Sequence, residues 1–270
     1  MSVRTWRHIR DGARPGALNM ALDEAMARSV EGGRAVLRTY AWTRPTASFG
    51  RNEPARGLWS EPVAAGMGLE FVRRPTGGRV VLHDSEVTYT VLVPARDMGG
   101  PREAYRRINA ALAEAMRGLG ADVDAVGSVA RPGPPAPRPD AEPRTLPLDA
   151  GPCFQSPAEG EVVAGGRKLI GSAQARVGGA LLQHGSIILS GDQSRLAALN
   201  PEAAGFERPA TLEELIGPVD FDTVARAVAA AMAAEFGGAW TESEVHPDEL
   251  AAAVRLVDTR YGRPEWTWRR

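Results

Sequence analysis

Cysteine and lysine each occur once in this chain, as Cys153 and Lys168. A single cysteine excludes an internal disulfide framework, and no Cys/His cluster has the spacing of a zinc site, so no metal is expected. No run of about 18 apolar residues is present, and the opening Met-Ser-Val-Arg-Thr-Trp-Arg-His carries no apolar core of signal-peptide length. Charge of one sign is lacking too: 32 Lys+Arg against 33 Asp+Glu leaves a formal −1, without the basic balance of a nucleic-acid binder or a polybasic membrane binder. The expectation is a soluble, cytoplasmic protein whose partners include neither nucleic acid nor membrane.

Of the 32 cationic residues one is lysine, so 31 are arginine. Such a bias can strand a lone lysine anywhere by chance. It can also mark a place that needs an amine, because arginine is a permanently charged planar fork and lysine a compact point charge. The other totals are ordinary. A chain of 270 residues with 43% hydrophobic content can bury a substantial core, and neither an internal repeat nor a convincing linker divides it, so residues 1–270 read as one domain.

Residues Ala17 to Val30 have the spacing of an amphipathic helix, with Leu18, Leu22, Ala25, Met26 and Ser29 on one face and Asp23 and Glu24 expected on a solvated one. Strand-like runs follow at Ala35 to Trp42, Thr46 to Arg51, Leu69 to Arg74, Val80 to Leu82 and Val87 to Val93. Pro101 to Leu119 repeats apolar residues at helical intervals. From Val129 to Pro152 the chain is rich in proline and cannot supply a regular hydrogen-bond ladder, so about residues 130–150 read as a mobile surface loop. Residues Glu161 to Leu189 read as a three-stranded meander turned at Gly165-Gly166 and Gly178-Gly179. Helices are expected at Phe221 to Phe236 and Asp248 to Asp258, a short one is capped at Thr211, and an aromatic tail docks on the core.

Two stretches carry chemistry. Arg73-Arg74-Pro75-Thr76-Gly77-Gly78-Arg79 pairs adjacent glycines, which let backbone N–H groups approach a ligand closely, with three arginines. That suits phosphate or pantetheine-phosphate recognition, and equally an ordinary hairpin with surface arginines. Cys153 lies in the polar Gly-Pro-Cys-Phe-Gln-Ser, with Lys168 fifteen residues on. A lone cysteine is most often a small buried hydrophobe, but a cation beside a thiol raises the thiolate fraction that a nucleophile needs. His83 and His184 are alternative partners for it, and either can equally be a satisfied core histidine.

Arg73 to Asp84, then Gly166-Arg-Lys-Leu-Ile-Gly-Ser-Ala-Gln-Ala-Arg176 and Leu182-Gln-His-Gly-Ser-Ile-Ile-Leu189, resemble the lipoate–protein ligase A / biotin ligase superfamily. The match is closest to its cysteine-dependent octanoyltransferases of the LipM type. Asn19 to Asp23, Arg38 to Trp42, Ser48-Phe-Gly50 and the tail from Tyr261 to Trp266 fit as well. The resemblance implies an α+β fold with a mixed β-sheet flanked by helices, as in the catalytic domain of biotin ligases. It implies that Cys153 attacks the thioester of octanoyl-acyl carrier protein, and that the octanoyl group then passes to a lysine of a lipoyl-domain protein such as the glycine-cleavage H protein. Lys168 matches the family lysine that lowers the cysteine pKa. Arg73, Arg74, Thr76, Gly77, Gly78, Arg79, His83, Gly171, Ser172, Ala173, Gln174, His184 and Gly185 would line the acyl and donor site, and the positive charge of the arginines would suit an acidic carrier protein. Neither ATP nor metal is implied, because the thioester is already activated.

ATP-using ligases of the superfamily typically carry three glycines where this chain has Gly77-Gly78-Arg79, and they lack a cysteine at position 153, which favours the transferase branch. Glu53 stands where relatives often have Gln. Three rivals remain: an amidotransferase moving octanoate from the H protein to other lipoyl domains, an ATP-dependent ligase, and a non-catalytic acyl-binding module.

Overall fold

The computed structural model describes residues 5–30, 32–125, 161–200 and 208–270. Cys153 and the proline-rich stretch lie outside the described residues.

The chain opens with β1 (Thr5–Arg14), α1 (Gly16–Ser29), β2 (Arg34–Trp42) and β3 (Thr46–Phe49). It continues through α2 (Glu61–Gly66), β4 (Glu70–Arg73), β5 (Val81–His83), β6 (Glu86–Pro94) and α3 (Pro101–Gly118). Then come β7 (Asp124–Ala125), β8 (Val162–Ala164), β9 (Arg167–Val177) and β10 (Ala180–Ile188). The remainder is α4 (Arg195–Leu199), α5 (Leu212–Ile216), α6 (Phe221–Phe236), β11 (Ala239–Glu242), α7 (Pro247–Leu256), a π-helical turn Val257–Tyr261, and α8 (Pro264–Thr267).

Eight strands form one mixed sheet in the order β11-β1-β2-β6-β10-β9-β8-β7, and β4-β3-β5 form a second. The meander runs as expected. Gly165 and Gly166 both adopt positive φ, the conformation a tight two-residue turn requires, whereas of the second pair only Gly178 does. Strand β1 was not legible in the hydropathy, because Arg7, His8, Arg10 and Asp11 interrupt its apolar residues. It forms because it pairs in parallel with both β2 and β11, burying Trp6 and Ile9.

The main sheet separates two cores. One packs the odd-numbered residues of β6, Val87 to Val93, against α3 and α6; the other packs Tyr40, Leu92 and Leu182 against α1 and α7. A third core lies around the small sheet, where Phe49, Phe71, Trp59 and Trp268 meet. The aromatic tail therefore docks as its composition suggests.

Helix α1 corrects one expectation. Asp23 and Glu24 do not face solvent: they are 0% and 2% exposed. Two surfaces of the helix are covered, one by the sheet and one by α7 and the π turn, so each carboxylate meets arginine from a remote part of the chain. Asp23 pairs with Arg38 at 2.9 Å, and Glu24 with Arg28 at 2.6 Å and Arg260 at 2.7 Å.

Candidate active site

Strand alternation fixes which site residues share a side of the sheet. On β10, His184 and Ser186 point to the α1 side, together with Thr88 and Thr90 of β6. Gly185, between them, faces the α3 side. There a Cβ would stand 2.8 Å from Cε1 of Tyr89 and would overlap the Gly171 carbonyl oxygen. A bare backbone at 185 is what lets the Tyr89 ring cross β10.

On the α1 side Asp23 is the hub. Its carboxylate accepts from Arg38 Nη1 at 2.9 Å, Tyr40 Oη at 3.0 Å, Thr90 Oγ1 at 2.8 Å and His184 Nδ1 at 3.1 Å. These donors outweigh the burial that would raise its pKa, so the carboxyl is held below the usual range. Burial has the opposite consequence for His184, lowering its pKa and favouring the neutral ring. With Nδ1–H donated to Asp23, Nε2 is left to accept the Thr76 hydroxyl at 2.6 Å. His184 thereby ties the Thr76-Gly77-Gly78 loop to the sheet.

Next to it lies a second histidine, equally constrained. His83 Nδ1 donates to Glu86 Oε1 at 2.8 Å, and its Nε2 accepts from Ser48 Oγ at 2.7 Å. Trp42 stacks on the ring at 4.1 Å, and the indole N–H is anchored on Thr88 Oγ1 at 2.7 Å. His83, Ser48, Ser186, His184, Gly171 and Ala173 line one narrow cavity.

On the α3 side Tyr89 Oη donates to Ser172 Oγ at 2.7 Å, Ser172 donates to Asn109 Oδ1 at 2.9 Å, and Gln183 Nε2 donates to Tyr89 Oη at 3.1 Å. Gln174 joins through Gln183 at 3.3 Å. Burial pushes the Tyr89 phenol up to about 12, and the charge of Glu161 adds to the shift. Glu161 is the ion-pair partner of Lys168: Nζ lies 2.7 Å from Oε1, and the two side chains are 2% and 5% exposed. The lone lysine is thus a buried, paired cation on the strand that follows the Gly165-Gly166 turn.

The Arg73 and Arg74 guanidinium groups are buried within the loop and are not presented as surface charge. Most of their donors are aimed at carbonyls, while Arg73 Nη2 has no hydrogen-bond partner among the described residues. Arg73 donates to Gly50 O, Glu53 O and Thr267 O, and Arg74 to Ser48 O, Gly77 O and Arg79 O. They build the loop from within. Gly77 and Gly78 are exposed and Arg79 half-exposed, at its tip. Glu53 braces the same loop, accepting from the N–H groups of Gly50 and Val80, both at 2.8 Å.

The expected site residues therefore divide. His83, His184, Thr76, Arg74, Gly171 and Ala173 gather on the α1 side, Ser172, Gln174 and Gly185 face α3, and Arg73 and Arg79 hold the loop. Sequence reasoning missed Ser48, Glu86, Asn109 and Glu161. The short spacing of His83 and Glu86 was a usable signal; for the others the contacts join distant segments and no local pattern marks them. Among the described residues no group of three or more His, Cys, Asp or Glu side chains is placed to hold a metal ion. No helix there is long and apolar enough to cross a membrane.

Residues 15–233 match the family model described as the lipoyl protein ligase A/B catalytic domain. A protein of Kyrpidia tusciae named octanoyltransferase LipM is 37% identical over 287 residues, covering 99% of this chain and 100% of the relative. The octanoyltransferase LipM of Bacillus subtilis is 34% identical, with all of both chains covered. Among solved structures, a putative lipoate protein ligase of T. acidophilum with bound lipoic acid superposes with a TM-score of 0.76 at 23% identity over the whole of both chains. A lipoate-protein ligase A bound with ATP gives 0.75 at 24% identity over 99% of both. The two structures share the α+β fold, with its mixed sheet flanked by helices.

Proposed function

The chain belongs to the lipoyl protein ligase A/B catalytic-domain family, and we propose that within it the protein is an octanoyltransferase of lipoate biosynthesis. The observation that carries this reading is that octanoyltransferases of two organisms match the chain from end to end at 34–37% identity. The sole cysteine and the sole lysine supply the chemistry such a transfer needs.

In this reading the Cys153 thiolate attacks the carbonyl of an octanoyl thioester carried by acyl carrier protein. The donor thiol leaves and the octanoyl group is held on sulfur. A lysine amine of a lipoyl domain, with the glycine-cleavage H protein as the first candidate, then attacks the new thioester. An amide forms, the C–S bond breaks and Cys153 is released. Lys168 supplies the cation for the sulfur and the acyl oxygen. Its pairing with Glu161 supports this role, because a lysine held at one point is pre-organised. The acyl chain is assigned to the narrow cavity between His83, His184 and the Gly171–Ala173 backbone, and the loop at Gly77-Gly78 to the donor. The first half-reaction exchanges one thioester for another and the second runs downhill from the thioester to the amide, so in this reading the transfer draws on neither ATP nor a metal. The cytoplasm is where such carrier proteins would be met.

The test is incubation with octanoyl-acyl carrier protein and an apo lipoyl domain without ATP. Octanoylation of the domain lysine, read by mass spectrometry, is the expected result. Modification that requires ATP and free octanoate would identify a ligase. Modification that requires octanoyl-H protein as donor would identify an amidotransferase.

A further inference from the structure

Glu86 stands between two cavities. It is 3% exposed, and its Oε1 is crowded by donors: His83 Nδ1 at 2.8 Å, Ser186 Oγ at 2.9 Å and Thr88 Oγ1. Its Oε2 is equally buried and has no hydrogen-bond partner among the described residues. A buried carboxylate oxygen without a donor costs free energy unless something fills the place, so it requires an explanation. His83 and Ser186, on the Oε1 side, line the narrow cavity assigned to the acyl group. Glu86 itself lines a second, wider cavity of about 350 Å3, together with Asp84, Asp192, Gln193 and Arg195. Asp84 and Asp192 are exposed at its mouth. Three carboxylates face one guanidinium there, and that guanidinium already pairs with Asp84 at 2.8 Å. The cavity is anionic, deep enough to reach Glu86, and one hydrogen bond away from His83.

We propose that this acidic cavity receives the lysine side chain of the acceptor protein, and that the Glu86–His83 pair takes the proton its ammonium must lose before it can attack. The proposal rests on the transferase reading above, which requires a lysine to arrive protonated at neutral pH and to react as a free amine. Asp84 and Asp192 attract the ammonium at the mouth, and the unpartnered Glu86 Oε2 accepts from it at the floor. One proton passes to the pair and on to water. The nitrogen then bonds to the acyl carbon, the C–S bond breaks, and the second proton goes to the departing sulfur, so charge and atoms balance. Glu86 accepts a proton from the amine alone and is not among the residues that line the acyl cavity, so forming the acyl-enzyme does not call on it.

The experiment uses pre-formed octanoyl-enzyme and two nucleophiles, an apo lipoyl domain and hydroxylamine. Hydroxylamine is largely uncharged at neutral pH and needs no base. Glu86→Gln is expected to acylate normally and to release its octanoyl group to hydroxylamine at the wild-type rate. Its transfer to the lipoyl domain should fall about a hundredfold, the scale of a lost general base. Asp192→Asn should raise the KM for the lipoyl domain several-fold with kcat unchanged. The proposal is overturned if Glu86→Gln slows both nucleophiles equally or neither. Should Glu86→Gln fail to fold, the exposed variants Asp84→Asn and Asp192→Asn carry the test, and an unchanged acceptor KM in both overturns it. A wild-type protein that forms no acyl-enzyme fails at the first step instead, which refutes the transferase reading and the proposal with it.

Discussion

Lys168 Nζ and Glu161 Oε1 lie 2.7 Å apart, and neither side chain is more than 5% exposed. A buried pair of this kind is weak evidence for stability in itself, but each partner depends on the other. Removing one takes a short charge–charge contact from the other in a medium that solvates charge poorly.

Glu161→Ala is therefore expected to cost about 3–5 kcal/mol of folding stability, read from denaturant midpoints. A loss no larger than that of an exposed carboxylate elsewhere on the surface would mean that Lys168 does not depend on this partner.

Lys168→Arg preserves the charge and broadens the head group at a site with almost no free surface. Transfer is expected to fall about a hundredfold, as when a catalytic group is displaced by an ångström, while the fold survives. Wild-type turnover in this variant would remove Lys168 from the chemistry.

Gly50 is packed so that a Cβ would overlap the Gly78 carbonyl oxygen. Gly50→Ala must push the Thr76-Gly77-Gly78 loop away from the position set by Arg73, Arg74 and Glu53. The expected loss is roughly 2 kcal/mol or more, together with slower acylation by the donor. Gly66→Ala, at a helical position with open space around it, is the control and should be neutral or slightly stabilising. Equal thermal shifts in the two variants would contradict the packing argument.

His184 and His8 are both buried, and burial lowers the pKa of each below the ordinary 6.5. As pH falls through 6.5 the unfolded chain takes up protons that the folded state still refuses. The stability these two histidines contribute is thus complete above that pH and is lost progressively below it. Urea midpoints are expected to drop between about pH 7.5 and about pH 5.5, and His184→Gln should make the drop smaller. An unaltered pH dependence in the variant would mean that His184 does not titrate as its surroundings demand.

Much of the architecture was written in local patterns. Pro101–Gly118 shows the helical repeat plainly, and the Gly165-Gly166 turn sets the register that places Lys168 near the start of β9. What escaped was the use of charge inside the fold. Asp23 and Glu24 look like solvent-facing residues of an amphipathic helix, because their partners Arg38 and Arg260 arrive from β2 and from the C-terminal turn. Strand β1 was hidden for the same reason: Asp11 interrupts its pattern yet is buried against Arg38 at 2.8 Å. Arg73 and Arg74 have the sequence look of a phosphate clamp, and only the carbonyls around them reveal a scaffold. At the site, His83 and His184 stood out by residue type. The roles of Ser48 and Glu161 became visible only when the strands were brought together, whereas the spacing of Glu86 from His83 was a signal left unread.

The central claim is a covalent octanoyl group on Cys153, and intact-protein mass tests it most directly. The protein is incubated with octanoyl-acyl carrier protein, without ATP, and weighed. An octanoyl adduct that hydroxylamine removes and that Cys153→Ser never forms is the predicted result. A protein that stays unmodified, yet octanoylates a lipoyl domain when given ATP and free octanoate, would contradict the claim and return Cys153 to a structural role.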